Sequence, residues 1–137
     1  MVEAVALNYQ QFGYRFVPLV REDISLLCSL NILFLRRDIP GSVINVGDLD
    51  NRIKTLVDTL RRPMSIQELR GNEQPDAAED PFFCLLEDDK LVTHLAIEAD
   101  TLLDSPIGTA EDGREVKLVI TVELKPNHVT MFNLGFA

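Results

Sequence analysis

The stretch GDLDNRIKTLVDTLRRP, residues 47–63, carries the clearest structural signal in this 137-residue chain. Its apolar residues recur at three- and four-residue spacing, which predicts an amphipathic helix with one buried stripe. Asp48 is placed to cap the first turn by accepting from backbone N–H groups, and Pro63 ends the helix. Arg61 and Arg62 stand where the helix dipole favours positive charge. The stripe consists of Leu49, Ile53, Leu56, Val57 and Leu60.

Three segments outside this helix alternate between apolar and polar residues, the pattern of half-buried strands. One precedes the helix and is followed by the turn signal Pro40–Gly41. The other two follow the helix, and Pro126 ends the last of them. The three apolar faces are Ile24, Leu26, Cys28, Leu30, Ile32 and Phe34; Leu91, Thr93, Leu95 and Ile97; and Val116, Leu118, Ile120, Val122 and Leu124.

The remaining segments are less regular. Residues 1–20 show no clean period and are interpreted as loop and short strand. Residues 63–81 form a long polar connection, in which Ser65 and Glu68 resemble a capping box for one helical turn. The apolar C-terminal residues 129–137 could add an edge strand or pack against a partner subunit. The prediction is a single α+β domain over 1–137, with a small mixed sheet packed against helices.

Composition fits a domain with its own hydrophobic core, because 46% of the residues are hydrophobic. The net charge of −9 is unevenly distributed. Residues 1–70 hold nine Lys/Arg and eight Asp/Glu, whereas residues 71–137 hold four and fourteen. The acidic half is interpreted as a solvated surface, and a small phosphate-facing surface remains possible in the first half.

Several classes of protein find no support in the sequence. The apolar stretches are too short and too polar for a membrane span, and the N-terminus lacks a signal-peptide pattern. Cys28 and Cys84 lack CxxC spacing and are interpreted as free thiols of a cytoplasmic protein, although a disulfide stays open. His94 and His128 have no companion ligands for zinc. Glycine-rich nucleotide-binding motifs and a GxSxG elbow are absent.

Two acidic blocks are the candidates for chemistry. The first contains Asp48, Asp50 and Lys54 at the predicted helix start, and the second is Glu87-Asp88-Asp89 before a predicted strand. Carboxylates are the oxygen ligands that Mg²⁺ prefers, and a bound ion can activate water against a phosphodiester. Taken singly, each block also has an ordinary explanation: a helix cap, i,i+4 ion pairs on a solvated helix face, and an acidic turn.

The two blocks together resemble the signature of RusA-type Holliday junction resolvases. GDLDNRIKTLVDTL, followed by LLEDDKLVTHLAIEA, is similar to the D-x-D-N-x-x-K-x-x-x-D helix start and later D-D pair of that family. The resemblance spans about residues 21–128. The 29 residues between Asp58 and Asp88 form a longer link than this family usually has, which indicates a flexible insertion at 63–81.

The resemblance implies a RusA-like α+β homodimer that nicks paired strands of four-way DNA junctions with Mg²⁺. Asp48, Asp50 and Asp89 would be the catalytic, metal-binding carboxylates, with Asp88 as an additional metal candidate. Lys54 would be the catalytic cation. The alternatives are a RusA-like binding or regulatory module without cleavage activity, and an unrelated acidic α+β protein.

Overall fold

In the computed structural model, residues 1–37, 49–103 and 116–137 are described, and they form two helices and two three-stranded mixed sheets. The α+β class predicted from the sequence is confirmed, with two small sheets in place of one. The helices are α1 (Val2–Asn8) and α2 (Leu49–Leu60). The strands are β1 (Gln10–Gln11), β2 (Tyr14–Val20), β3 (Leu26–Arg36), β4 (Phe82–Leu86), β5 (Val92–Thr101) and β6 (Val116–Pro126).

The longer sheet has the order β5-β3-β6, with β3 parallel to β5 and antiparallel to β6. Every second side chain of β3 from Leu26 to Ile32 is buried. β6 presents its own alternate residues on the same face, because Val122 pairs with Leu30 and Ile120 with Ile32. The alternation predicted for these two strands is confirmed, except that Ile24 lies in a 3-10 turn (Glu22–Ile24) before β3.

The face predicted for the β5 segment is only half correct. Val92 pairs with Cys28, but the next residue of β3 pairs with His94, so Thr93 is the extra residue of a β-bulge. A bulge shifts the side-chain alternation by one, which places Val92 and not Thr93 on the face of Leu95. The Thr93 hydroxyl donates to the Cys28 carbonyl oxygen at 3.4 Å.

The shorter sheet has the order β1-β2-β4, and its first two strands lie within residues 1–20, which the sequence predicted as loop and short strand. β2 lacks a period of two because Phe16, Val17, Pro18 and Val20 are all buried, which means that both of its faces are covered. α1 packs its buried Val5 and Ala6 against β2. The interpretation of residues 1–20 as loop and short strand therefore missed α1 and the length of β2.

α2 lies across the apolar face of the longer sheet and runs opposite to β3. Residues of its first turns approach Phe34 and Leu118, whereas Val57 and Leu60 at its other end pack into the core around Leu30. The predicted helix is confirmed, and the proposed cap Asp48 lies outside the described residues, as do Pro40–Gly41 and the turns predicted within 104–115.

The connection between α2 and β4 contains two 3-10 turns, Ile66–Leu69 and Ala77–Glu79. The capping box predicted for Ser65 is absent there, since Ser65 makes no side-chain cap hydrogen bond. A capping box stands instead at the second turn, where the Asp76 backbone N–H donates to Glu79 Oε2 at 3.0 Å. The C-terminal segment forms turns and not an edge strand, with a 3-10 turn at Leu134–Phe136.

Candidate functional site

The first acidic block lies at the start of α2. Asp50 is in the first turn, and the next residues, Asn51 and Arg52, line a cavity of about 460 Å³ between the helix and the sheet. Arg36 is the last residue of β3, and Arg37 follows it directly.

Further along α2, charged side chains form a continuous series. Lys54 Nζ lies 3.8 Å from Asp58 Oδ1, and Arg61 Nε lies 3.3 Å from the same oxygen. That oxygen is buried and has no hydrogen bond within the described residues, so both contacts are electrostatic. Arg61 also donates to both carboxylate oxygens of Glu68, at 2.9 and 3.3 Å, and this pairing lowers the pKa of Glu68. Lys54 is 71% exposed and remains accessible to a ligand.

The second acidic block forms a structured turn before β5. The Lys90 backbone N–H donates to Asp88 Oδ1 at 3.0 Å, and this hydrogen bond is the main reason why the pKa of Asp88 is lowered. Lys90 Nζ pairs with Glu22 Oε1 at 3.0 Å, and Glu87 Oε2 accepts from the Glu22 backbone N–H at 2.8 Å. Asp88 therefore caps the 3-10 turn Asp89–Leu91, while the side chain of Asp89 is exposed.

The structure does not bring the two blocks together. Asp88 and Asp89 precede Val92, which pairs with Cys28 near the start of β3, whereas Asn51 and Arg52 at the start of α2 line a cavity together with Phe34. Cys28 and Phe34 are six residue steps apart along the strand, a distance of about 20 Å. Within the described ranges, no three His, Cys, Asp or Glu side chains are grouped closely enough to hold a metal ion. Asp48 lies outside those ranges.

Two features near the site were not apparent from the sequence. The backbone of Arg61 bridges to Leu86 of β4, and the Arg62 guanidinium lies 5.2 Å from the centre of the Tyr9 ring. Burial, with help from Glu87, raises the pKa of Tyr9 to about 12. These contacts join elements that are distant in sequence, so no local pattern could have indicated them.

A second, larger cleft of about 860 Å³ lies between the end of α2, the connection after it, and β4. Tyr14, Phe16 and Phe82 form an aromatic cluster along it, with ring centres 5.6–6.0 Å apart. The Tyr14 hydroxyl donates to the Asn72 carbonyl oxygen at 2.7 Å, which ties the connection to β2. These rings pack on one another and thereby stabilise the fold.

Comparison with known proteins gives no assignment: no family model, curated protein or solved structure matches the chain. Among the described residues, no helix is both long and apolar enough to cross a membrane. Cys28 and Cys84 are free thiols, and burial raises the pKa of Cys84 to about 11.

Proposed function

We propose that this chain is a Mg²⁺-dependent, structure-selective endonuclease of the RusA type that nicks four-way DNA junctions in the cytoplasm. The observation that supports the proposal best is the position of the helix-start block. Asp50, Arg52 and Lys54 stand on the first turns of α2. Asp50 would supply a carboxylate for a metal ion, and Arg52 and Lys54, on the same turns of the helix, would supply cations for phosphate.

Asp50, together with Asp48, would hold the ion. Mg²⁺ commonly binds through one or two carboxylates and completes its octahedral shell with water and substrate phosphate, so the donors of this block fit it. The ion would activate water and stabilise the charge that develops on the phosphodiester. Lys54, one helical turn from Asp50, would contact the phosphate at the site of cleavage.

Asp88 and Asp89 have a different position and, in this proposal, a different task. Asp88 caps the turn that begins β5, and about 20 Å of strand separates this turn from the start of α2. The resemblance assigns Asp89 to the metal, which would require the acidic turn of a second copy. We place the metal site at the start of α2 alone.

The test is cleavage of a labelled four-way junction and of a linear duplex, with Mg²⁺ and at low salt. We expect the wild-type chain to nick the junction, and Asp50→Asn to abolish nicking and Mn²⁺ binding. Asp89→Asn is the matched control, because it removes the same charge at the opposite end of α2. Equal loss in both variants, with the fold intact, would refute a site at the helix start alone.

The second candidate is a RusA-like binding or regulatory module without nuclease activity. Its supporting observation is the net charge of −9, since neutralisation of phosphates supplies much of the affinity of proteins for DNA. In the same assay this candidate predicts junction binding, or no DNA binding at all, and no nicking by the wild-type chain with Mg²⁺ or Mn²⁺.

A further inference from the structure

Among the described strands, β6 is at an edge of the longer sheet. Within the described residues β6 pairs on one side with β3, over eleven residues and without a bulge. A long, regular edge strand presents a row of backbone donors and acceptors to another strand. Its apolar residues are also incompletely covered: Val116, Leu118 and Val119 are 42%, 37% and 43% exposed.

The charged residues of β6 make this edge complementary to itself. Lys117 and Glu123 are exposed and point to the same face of the sheet, opposite α2. On β3 they are paired with Leu35 and Ser29, and neither forms an ion pair with a described residue. Their charges are therefore available to a neighbouring strand.

The spacing of these charges selects one register. Two β6 strands related by a twofold axis run antiparallel, and residues directly opposite each other share a face of the sheet. An axis at Ile120 places Lys117 opposite Glu123 of the partner subunit, twice. An axis at Thr121 would instead oppose Lys117 and Lys125, and an axis at Val119 would oppose Lys117 and Thr121, without an attractive charge pair.

The same register also pairs the apolar residues on the α2 face. Leu118 would lie opposite Val122 of the partner subunit, and Val116 opposite Leu124 of the partner subunit. Cross-strand apolar and opposite-charge pairs are the contacts that stabilise antiparallel sheets. The more exposed N-terminal half of β6, with Val116 and Leu118, would thereby be covered by the less exposed C-terminal half of β6 in the other copy.

We propose that β6 is a dimerisation strand, which pairs with β6 of a second copy around Ile120. The product is a continuous six-stranded sheet that carries both α2 helices on one face, since the axis is perpendicular to the sheet. This inference does not depend on nuclease activity, and its test measures association only.

The first test is a charge exchange, followed by sedimentation of the full chain at micromolar concentration. We expect the wild type to be a dimer. Glu123→Lys or Lys117→Glu should each weaken it about tenfold or more, because two attractive pairs become two repulsive ones. The double variant Lys117→Glu/Glu123→Lys exchanges the two charges, so both pairs are attractive again and the dimer should be recovered. Circular dichroism confirms that each variant is folded.

The second test fixes the register by cysteine cross-linking in a Cys84→Ser background. Ile120→Cys would face its own copy across the axis and should form a disulfide-linked dimer under mild oxidation. Thr121→Cys is the matched control, because it would face Val119 and should not cross-link with itself. A monomeric wild type, a dimer unaffected by either charge variant, or efficient cross-linking at Thr121→Cys alone would overturn the inference.

Discussion

Asn133 anchors the C-terminal segment, and its replacement by alanine should destabilise the whole domain. Among the described residues it is the one buried polar side chain, with no exposed area. Its Nδ2 donates to the carbonyl oxygens of Ile24 and His128 at 2.7 and 2.8 Å, and its Oδ1 accepts from the Thr130 N–H at 2.7 Å. Three hydrogen bonds at about 1 kcal/mol each give a loss of about 3 kcal/mol in the free energy of unfolding.

Urea denaturation followed by circular dichroism measures this loss. Asn127→Ala is the matched control, because Asn127 is exposed and uses its backbone N–H to bond Ser25. The control should change the free energy of unfolding by less than about 0.5 kcal/mol. A similarly small effect of Asn133→Ala would show that the segment does not contribute to the stability of the core, and the reasoning would fail.

Two further predictions concern the core and the charge series on α2. Leu30→Ala removes a fully buried side chain from the central strand and should cost about 2–5 kcal/mol in urea denaturation, whereas Leu134→Ala, at a 58% exposed position, should cost far less. The hydrogen bond from Arg61 lowers the pKa of Glu68 in the folded state. The ionised Glu68 therefore stabilises the fold at pH values above its ordinary pKa of 4.5, and this contribution is lost as the pH falls through the lower folded-state pKa. Glu68→Gln should therefore be less stable than the wild type at pH 7 and should lose stability less steeply below pH 4.5; parallel profiles would contradict this role.

The elements that could be predicted from the sequence are those that bury one face and expose the other. α2, β3 and β6 each have one covered face, so hydrophobic residues recur with the period of the element. β2 is covered on both faces, and its run Phe16-Val17-Pro18 carries no period. The bulge at Thr93 depends on how β5 pairs with β3, which no pattern within β5 records.

Contacts between residues that are far apart in the chain could not be predicted from the sequence either. Asn133 reads as one polar residue in an apolar tail, yet its partner Ile24 lies 109 residues earlier in the chain. Asp50 and the Glu87-Asp88-Asp89 block, in contrast, lie where the sequence indicates, in the first turn of a helix and before a strand, whereas Asp48 lies outside the described residues. The sequence does not predict whether β5 runs parallel or antiparallel to β3.

That direction determines the geometry of the candidate site. β3 and β5 are parallel, so the chain between them must cross back over the sheet, and α2 is the helical part of this crossover. Such a helix begins where the first strand ends, whereas residues just ahead of the second strand lie at the opposite end of the sheet. Asp50 and Asp89 are therefore kept apart by the length of β3, whatever their spacing in sequence. In sheets with parallel strands, ligands bind preferentially at the carboxyl ends of the strands. Asp50 follows the carboxyl end of β3 along the crossover and Asp89 precedes β5, which is why we propose the metal site at the start of α2.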